Sequence, residues 1–373
     1  MKNCAIYLYF FVVLLSTACG QSVDKNIKSP VKPLVSEELV VSGLQNPWGF
    51  DFLPDNSILV TEKSGKLFLV KNGKKTEVSG LPEIKVQGQG GLLDVTVHPK
   101  FSQNNFIYIS FASPEGEGRG ANTAIVRAKL EGYALTDKKV LYKASPNTGK
   151  GQHFGSRIIF DKEGYLYFSV GDRGNRDENP QDITRDCGKI YRLHDDGSIP
   201  KDNPFINEVN AKKAIWSYGH RNPQGLTINP FTNEIWEHEH GPRGGDELNI
   251  IEKGKNYGWP VITYGINYSG TSITDETSRP GMEQPIHYWV PSIAPSGMAF
   301  ITSDKYPGWK GNLLVGSLAF QYLERLELEK GTTVSYREKV LDGIGRVRSV
   351  KQGPDGFIYV EVEGKGIYKL LPK

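Results

Sequence analysis

The sequence predicts an all-β fold, a six-bladed β-propeller of four-stranded antiparallel blades, and three observations predict it. Long helical periodicity is absent from the 373 residues, while short alternating or β-branched segments end repeatedly in Pro, Asn, Asp and Gly turns. One unit, an apolar strand, a turn and a second apolar strand, recurs six times at spacings of about 45 to 70 residues. A further strand candidate follows each hairpin, giving units of three to four strands. Radial repetition of such units leaves few exposed sheet edges. Two β-sandwich domains are the alternative way to house as many strands.

In chain order the hairpins span Trp48 to Val60, Leu92 to Phe111, Ser156 to Val170, Gly225 to Glu237, Gly297 to Val315 and Val347 to Val360. Their turns include Pro54-Asp55-Asn56, Asp161-Lys162-Glu163-Gly164, Pro230-Phe231-Thr232-Asn233 and Gly353-Pro354-Asp355-Gly356, all of turn-forming composition. The third strands fall at Lys66 to Lys71, Thr123 to Leu130, Gly188 to Leu193, Glu247 to Glu252, Tyr322 to Glu329 and Gly366 to Leu371. A strand near Glu38 to Val41 is expected to join the last blade and close the ring. Long insertions at Ser113 to Asn122, Asp172 to Asp186, Pro200 to Ala211 and Tyr257 to Trp289 are expected to roof a pocket, because loops of this length are usually functional or disordered.

The chain is 38% hydrophobic and 23% charged with a net charge of +3, so nothing calls for a nucleic-acid partner. Lys2, an apolar run from Ala5 to Leu15 and the small residues Ser16 to Gly20 read as an export signal, too short for a membrane span of about 20 residues. Cys19 after Ala18 matches the acceptor of a bacterial lipoprotein, against plain secretion or an uncleaved anchor. The expected organisation is therefore a signal over residues 1–19, a polar tether over 20–36 and the propeller over 37–373. Its expected place is the periplasm of a Gram-negative-type bacterium, with membrane contact only through a lipid at Cys19. Of Cys4, Cys19 and Cys187, only the last belongs to the fold, where it is expected as a buried small hydrophobe.

Chemistry concentrates between Tyr218 and Pro260. Arg221 offers a planar five-donor fork to a carboxylate, and Gly and Pro turns can bring carbonyls together. His153, just before an inner strand, can act as a general base at neutral pH or merely cap a loop. Gln89, Arg221-Asn222, Arg346 and Arg348 occupy equivalent strand entrances in other units. Arg346 and Arg348, two apart in an extended segment, point to one side and either converge on a polyanion or form a solvated pair. His238 and His240 alternate on a strand without a third soft ligand, whereas Gly241 and Pro242 carbonyls with Asp246 and Glu247 favour calcium on hardness, surface charge being the bland alternative.

The ordered series His153…Gly155-Ser156-Arg157, Gly171-Asp172, Gly197-Ser198-Ile199-Pro200-Lys201-Asp202-Asn203-Pro204, Gly219-His220-Arg221-Asn222-Pro223-Gln224-Gly225, Glu239-His240-Gly241-Pro242, Asp246-Glu247-Leu248-Asn249 and Asn256-Tyr257-Gly258-Trp259-Pro260 resembles the soluble pyrroloquinoline quinone (PQQ) dependent aldose sugar and glucose dehydrogenases. The resemblance runs from about Leu39 to Leu371 and implies a six-bladed propeller that oxidises the C1 hydroxyl of aldoses to lactones. It implies His153 as catalytic base, with Arg221 beside it. It implies Gln89, His153, Arg221, Asn222, Arg346 and Arg348 as PQQ contacts. Calcium at the Gly241 and Pro242 carbonyls would act as Lewis acid, and Glu247 with the Tyr257 carbonyl would match a structural calcium site. Trp289 would line the sugar pocket, and an electron acceptor, unnamed by the sequence, would reoxidise the cofactor.

Two departures stand against it. Where the family carries a lysine after Ser-Leu in the fifth unit, this chain reads Ser317-Leu318-Ala319, and losing such a charge-assisted contact costs about 1.5 to 3 kcal/mol. Asp177 adds a negative charge where the glucose enzyme offers glutamine. The rival readings are a cofactor-free propeller that binds carbohydrate or protein, and a calcium-dependent lactonase.

Overall fold

The structure, a computed structural model, describes Ile27 and residues 34–373. The signal and almost all of the tether therefore lie outside the described residues. Six four-stranded antiparallel sheets follow one another along the chain. Blade 1 is β2 (Pro47–Phe52), β3 (Ile58–Glu62), β4 (Lys66–Lys71) and β5 (Lys74–Val78), after β1 (Val35–Ser42), which belongs elsewhere. Blade 2 is β6 (Leu92–Val97), β7 (Phe106–Ser113), β8 (Asn122–Glu131) and β9 (Ala134–Lys143), with a single-turn helix α1 (Phe101–Asn104) inside its first hairpin. Blade 3 is β10 (Ile158–Phe160), β11 (Leu166–Val170), β12 (Lys189–Leu193) and β13 (Ile215–Tyr218); blade 4 is β14 (Pro223–Ile228), β15 (Ile235–Glu239), β16 (Asp246–Ile251) and β17 (His287–Trp289). Blade 5 is β18 (Pro295–Phe300), β19 (Leu313–Ser317), β20 (Tyr322–Glu329) and β21 (Thr333–Asp342), and blade 6 is β22 (Val347–Gln352), β23 (Ile358–Val362) and β24 (Gly366–Pro372).

Blade 6 takes its outer strand from the other end of the chain. β1 pairs antiparallel with β24, from Val35 opposite Pro372 to Ser42 opposite Gly366, so the ring closes as the sequence predicted. The fold begins at Val35, two residues inside the segment expected as tether. Second strands such as Ile58-Leu59-Val60-Thr61-Glu62 and Leu166-Tyr167-Phe168-Ser169-Val170 are buried along their whole length. A blade packs against a neighbour on each face, so these strands read as continuous runs rather than alternations. Outer strands such as β5 and β9 are exposed and lysine-bearing, which blunts the sheet edge.

The innermost strands contact one another in sequence around the ring, β2 to β6 and onward to β22. In five blades the inner hairpin carries a β-bulge within its first residues, as at Pro47/Gly49 and Val347/Ser349, which bends the strand at one end of the channel. Arg157 ties the centre together. Its Nη1 pairs with Asp94 at 3.2 Å, its Nε donates to the Gln224 carbonyl at 2.8 Å and its Nη2 to the Arg348 carbonyl at 2.7 Å. One guanidinium from blade 3 thus joins blades 2, 4 and 6, and its partner Asp94 is equally buried. Gly49 lets Asp94 approach, since a Cβ there would stand 2.3 Å from its Oδ1. Cys187 is buried and its thiol is pushed up to about 11 by burial, as fits a packing role.

Candidate functional site

The ends of the inner strands open on two adjoining hollows. A cavity of about 350 Å³ is lined by Lys63, Gln89, Asn222, Arg346, Arg348 and Glu363, among others. A cleft of about 280 Å³ beside it is lined by His153, Asp172, Asp177, Arg221, Pro242 and Trp259. His153 and Gln89 join the two, because the backbone N–H of His153 donates to Gln89 Oε1 at 2.8 Å.

Glycines make this junction possible by close approach. A Cβ at Gly88 would stand 2.3 Å from the Gly151 carbonyl oxygen, and one at Gly171 would stand 2.3 Å from that of His153. His153 itself adopts φ +56°, a left-handed conformation that costs a non-glycine residue about 1–3 kcal/mol and is characteristic of functional sites. Its Nδ1 meets Asp172 Oδ1 at 2.6 Å. Asp172 also accepts from Trp259 Nε1 at 2.9 Å and from the Gly174 N–H at 2.6 Å. Burial pushes Asp172 up, but the hydrogen bond and charge of His153 and the charge of Arg221 outweigh it and hold the carboxyl below its usual range. Burial, with the charges of Arg221 and Arg173, lowers the His153 pKa more than Asp172 raises it. The imidazole is therefore neutral at pH 7 with its proton on Nδ1, and Nε2 is left as a base.

Arg221 is oriented from two sides. Glu239 accepts from the backbone N–H of Arg221 and, at 3.1 Å, from that of Asn222. The Arg221 Nη1 donates to the carbonyls of His240 and Gly241, both at 2.8 Å. A guanidinium thus already engages the Gly241 carbonyl expected to hold calcium. Pro242 lies on the wall of the cleft beside His153. Arg346 and Arg348 do point to one side, and both meet Glu363, at 2.6 and 2.5 Å. His238 and His240 face blade 5 and approach the carbonyls of Gly297 and Pro295, so neither is placed as a metal ligand.

Glu247 is paired across the ladder with Glu239, and Asn249 with Glu237, on one face of blade 4. A void of about 10 Å³, room for one ion or water, lies among Glu239, Glu247, Gly241 and Gly245. His220, Glu237 and Glu239 bring ligand atoms within 4.8 Å of one another nearby, and Glu237 Oε1 and Asn249 Oδ1 have no hydrogen-bond partner. Burial, then the charge of Glu239, pushes Glu237 and Glu247 well above the usual carboxyl range. Buried acceptors without donors fit a cation. Tyr257 stacks on His220 beside this group, with centroids 4.8 Å apart.

Trp289 is not brought to the cleft. It is fully buried in the core between blades 4 and 5, its Nε1 directed to Glu324 Oε2 at 3.3 Å. The tryptophan on the cleft wall is Trp259. Sequence reasoning passed over Asp172 and Trp259 as site residues, although both stand in the quoted motifs Gly171-Asp172 and Gly258-Trp259-Pro260. Lys63 and Glu363 carried no signal, because each follows a strand among ordinary turn and surface residues. The 172–186 and 257–289 insertions do build the cleft, the latter climbing to the mouth through a bridge between Tyr218 and Asn256. The 200–211 insertion joins β12 to β13 at the other end of the blade and roofs nothing here.

A β-propeller with a histidine–carboxylate base beside a cation-lined cavity has the architecture of a propeller oxidoreductase. The chain belongs to the Glucose / Sorbosone dehydrogenase family, whose model matches residues 44–369. It is 43% identical over 334 residues to aldose sugar dehydrogenase YliI of Escherichia coli (strain K12), covering 87% of this chain and 89% of that one. It is 29% identical to quinoprotein glucose dehydrogenase B of Acinetobacter calcoaceticus, with 88% and 86% covered. Among solved structures it matches the PQQ-bound form of aldose sugar dehydrogenase from Streptomyces coelicolor, with a TM-score of 0.74, 28% identity and 93% and 100% covered.

Proposed function

We propose that this protein is an exported quinoprotein that oxidises the C1 hydroxyl of aldose sugars to lactones, with PQQ as hydride acceptor and calcium as Lewis acid. The observation that carries the reading is the His153–Asp172 pair at 2.6 Å on the wall of a cleft that adjoins a cavity lined by Lys63, Arg346 and Arg348. The cations suit a cofactor with three carboxylates, and the printed names of the quinoprotein and PQQ-bound relatives support the same choice. When bound, the quinone supplies an electrophilic carbon for hydride and calcium polarises its carbonyl.

The chain's own residues do the rest. His153 Nε2 takes the proton of the anomeric hydroxyl, and Asp172 steadies the imidazolium that forms. Gln89 fixes the His153 backbone, Glu239 fixes Arg221 and Asn222, and the cleft wall of Trp259 and Pro242 excludes water from one side. Gly241 and Pro242 carbonyls would hold the catalytic calcium, the Gly241 oxygen sharing its lone pairs between the ion and Arg221. Glu247 and Tyr257 would hold the second ion, with Glu239 at hand. Export through residues 1–19, a lipid at Cys19 and delivery of electrons to a separate acceptor belong to the same reading.

The test is reconstitution with PQQ and calcium followed by dye reduction with several aldoses. Turnover that requires both additions is expected, and none at micromolar cofactor would refute the reading. The rival reading, a cofactor-free binding module, is favoured by Ala319, exposed at the rim beside Leu318. Sugar affinity without any PQQ binding would establish it.

A further inference from the structure

We propose that Lys63, in the turn after the second strand of blade 1, is the cation that grips a carboxylate of the cofactor at the mouth. The proposal rests on the cofactor reading above. Three cationic side chains line the 350 Å³ cavity there, and two are engaged. Arg346 and Arg348 share the single carboxylate of Glu363. Lys63 has no carboxylate partner among the described residues, and its Nζ donates to the Gly88 carbonyl at 3.0 Å. The lining of the 350 Å³ cavity therefore holds three positive side chains against one negative, and the one that meets no carboxylate is Lys63.

The backbone fixes the root of this side chain. The Lys63 N–H donates to the Asn46 carbonyl at 2.9 Å, and its own carbonyl accepts from Leu92 at 3.3 Å. Gly91 supplies the room: a Cβ there would stand 2.0 Å from the Lys63 carbonyl oxygen and 2.8 Å from its Cγ. The far end, held by one neutral carbonyl, can exchange that acceptor for a carboxylate and gain a charge-assisted bond of about twice the strength. Lysine suits the task because its compact charge rides on a flexible stem and follows the ligand. The same cavity is lined by Leu318, the neighbour of Ala319. The positive charge that position 319 does not provide thus enters the cavity from blade 1 instead of blade 5.

Direct titration of PQQ in the presence of calcium and without sugar tests this, read through tryptophan fluorescence, to which Trp48 in the cavity wall contributes. The parent, Lys63→Gln and Lys63→Arg are compared at low and high salt. Lys63→Gln is expected to bind about 10- to 100-fold more weakly and with a smaller salt dependence, and Lys63→Arg to recover most of the loss. Thermal midpoints of the free proteins should lie close together, since both replacements keep the stem that packs beside Gly91 and the Lys63 ammonium makes only a solvent-exposed hydrogen bond. Equal affinities of parent and Lys63→Gln would remove Lys63 from the cofactor site while leaving the cofactor reading intact. A parent that binds no PQQ would overturn both.

Discussion

Two histidine–carboxylate pairs flank Arg221, and only one of them leaves a ring nitrogen free of protein partners among the described residues. His153 meets Asp172 through Nδ1 at 2.6 Å, and His220 meets Glu239 through Nδ1 at 3.2 Å. The pairs differ at the second nitrogen. His220 is wholly buried and its Nε2 is taken by Ser217 Oγ at 2.9 Å, so every polar atom of the ring is spent. His153 keeps 14% of its side chain exposed and turns Nε2 to the cleft. A carboxylate at Nδ1 orients an imidazole in either case; an open Nε2 makes it a base. The buried pair serves a different end, because Glu239 also holds the backbone N–H groups of Arg221 and Asn222.

Exchanging the two histidines gives the largest effect and the sharpest contrast. His153→Gln should lower kcat by about 10²- to 10⁴-fold with little change in thermal midpoint, since general-base catalysis is lost while the Gln amide keeps a donor for Asp172. His220→Phe should do the reverse. It keeps a ring against Tyr257 but strips Glu239 of a donor and the Ser217 hydroxyl of its acceptor, which costs about 1–3 kcal/mol of stability while kcat at saturating cofactor stays close to the parent's. Parallel kinetics and denaturant unfolding decide. Comparable kcat losses in both variants would erase the distinction between the pairs.

Asp172→Asn should cost less, about 10- to 100-fold in kcat, because the base remains and only its orienting charge goes. The pH profile carries the sign. His153 is active when neutral, so activity rises as pH climbs through its pKa, which burial has already set below 6.5. Asp172 raises that pKa by hydrogen bond and charge, so its neutral replacement should carry the acid limb to lower pH. A limb that stays in place or moves upward would show that Asp172 does not act on His153.

The contrast between the pairs also marks how far the sequence could be read. Hairpins and third strands were legible because their apolar runs are long and end in strong turn signals; Tyr322–Glu329 and Lys66–Lys71 appear where they were expected. Outer strands such as Lys74–Val78 were not, since an exposed edge carries lysines and no alternation. Position in the ring placed Gln89, Asn222, Arg346 and Arg348 in one cavity. What sequence spacing could not supply was competition between neighbours. Glu363 answers both arginines from the turn after the next strand, Trp289 is buried in the apolar core with its Nε1 toward Glu324, and Asp172 is identified as partner of His153 only by distance.

The smallest effect concerns what lies behind the buried pair. Glu239 and Glu247 border a void with room for one ion, and two further acceptors nearby, Glu237 Oε1 and Asn249 Oδ1, lack donors. Three carboxylates packed on one face repel, so a divalent ion that binds only the folded chain should stabilise it by about 1.4 kcal/mol at ten times its Kd. Calcium added to chelator-treated protein should therefore raise the thermal midpoint by a few degrees, whereas Glu247→Gln should reduce the rise. In calcium-free buffer that variant should melt no lower than the parent, because it removes one of the repelling charges. A midpoint indifferent to calcium in the parent would mean that the carboxylates are neutralised by protons, and that the pair at His220 needs no ion to hold Arg221 in place.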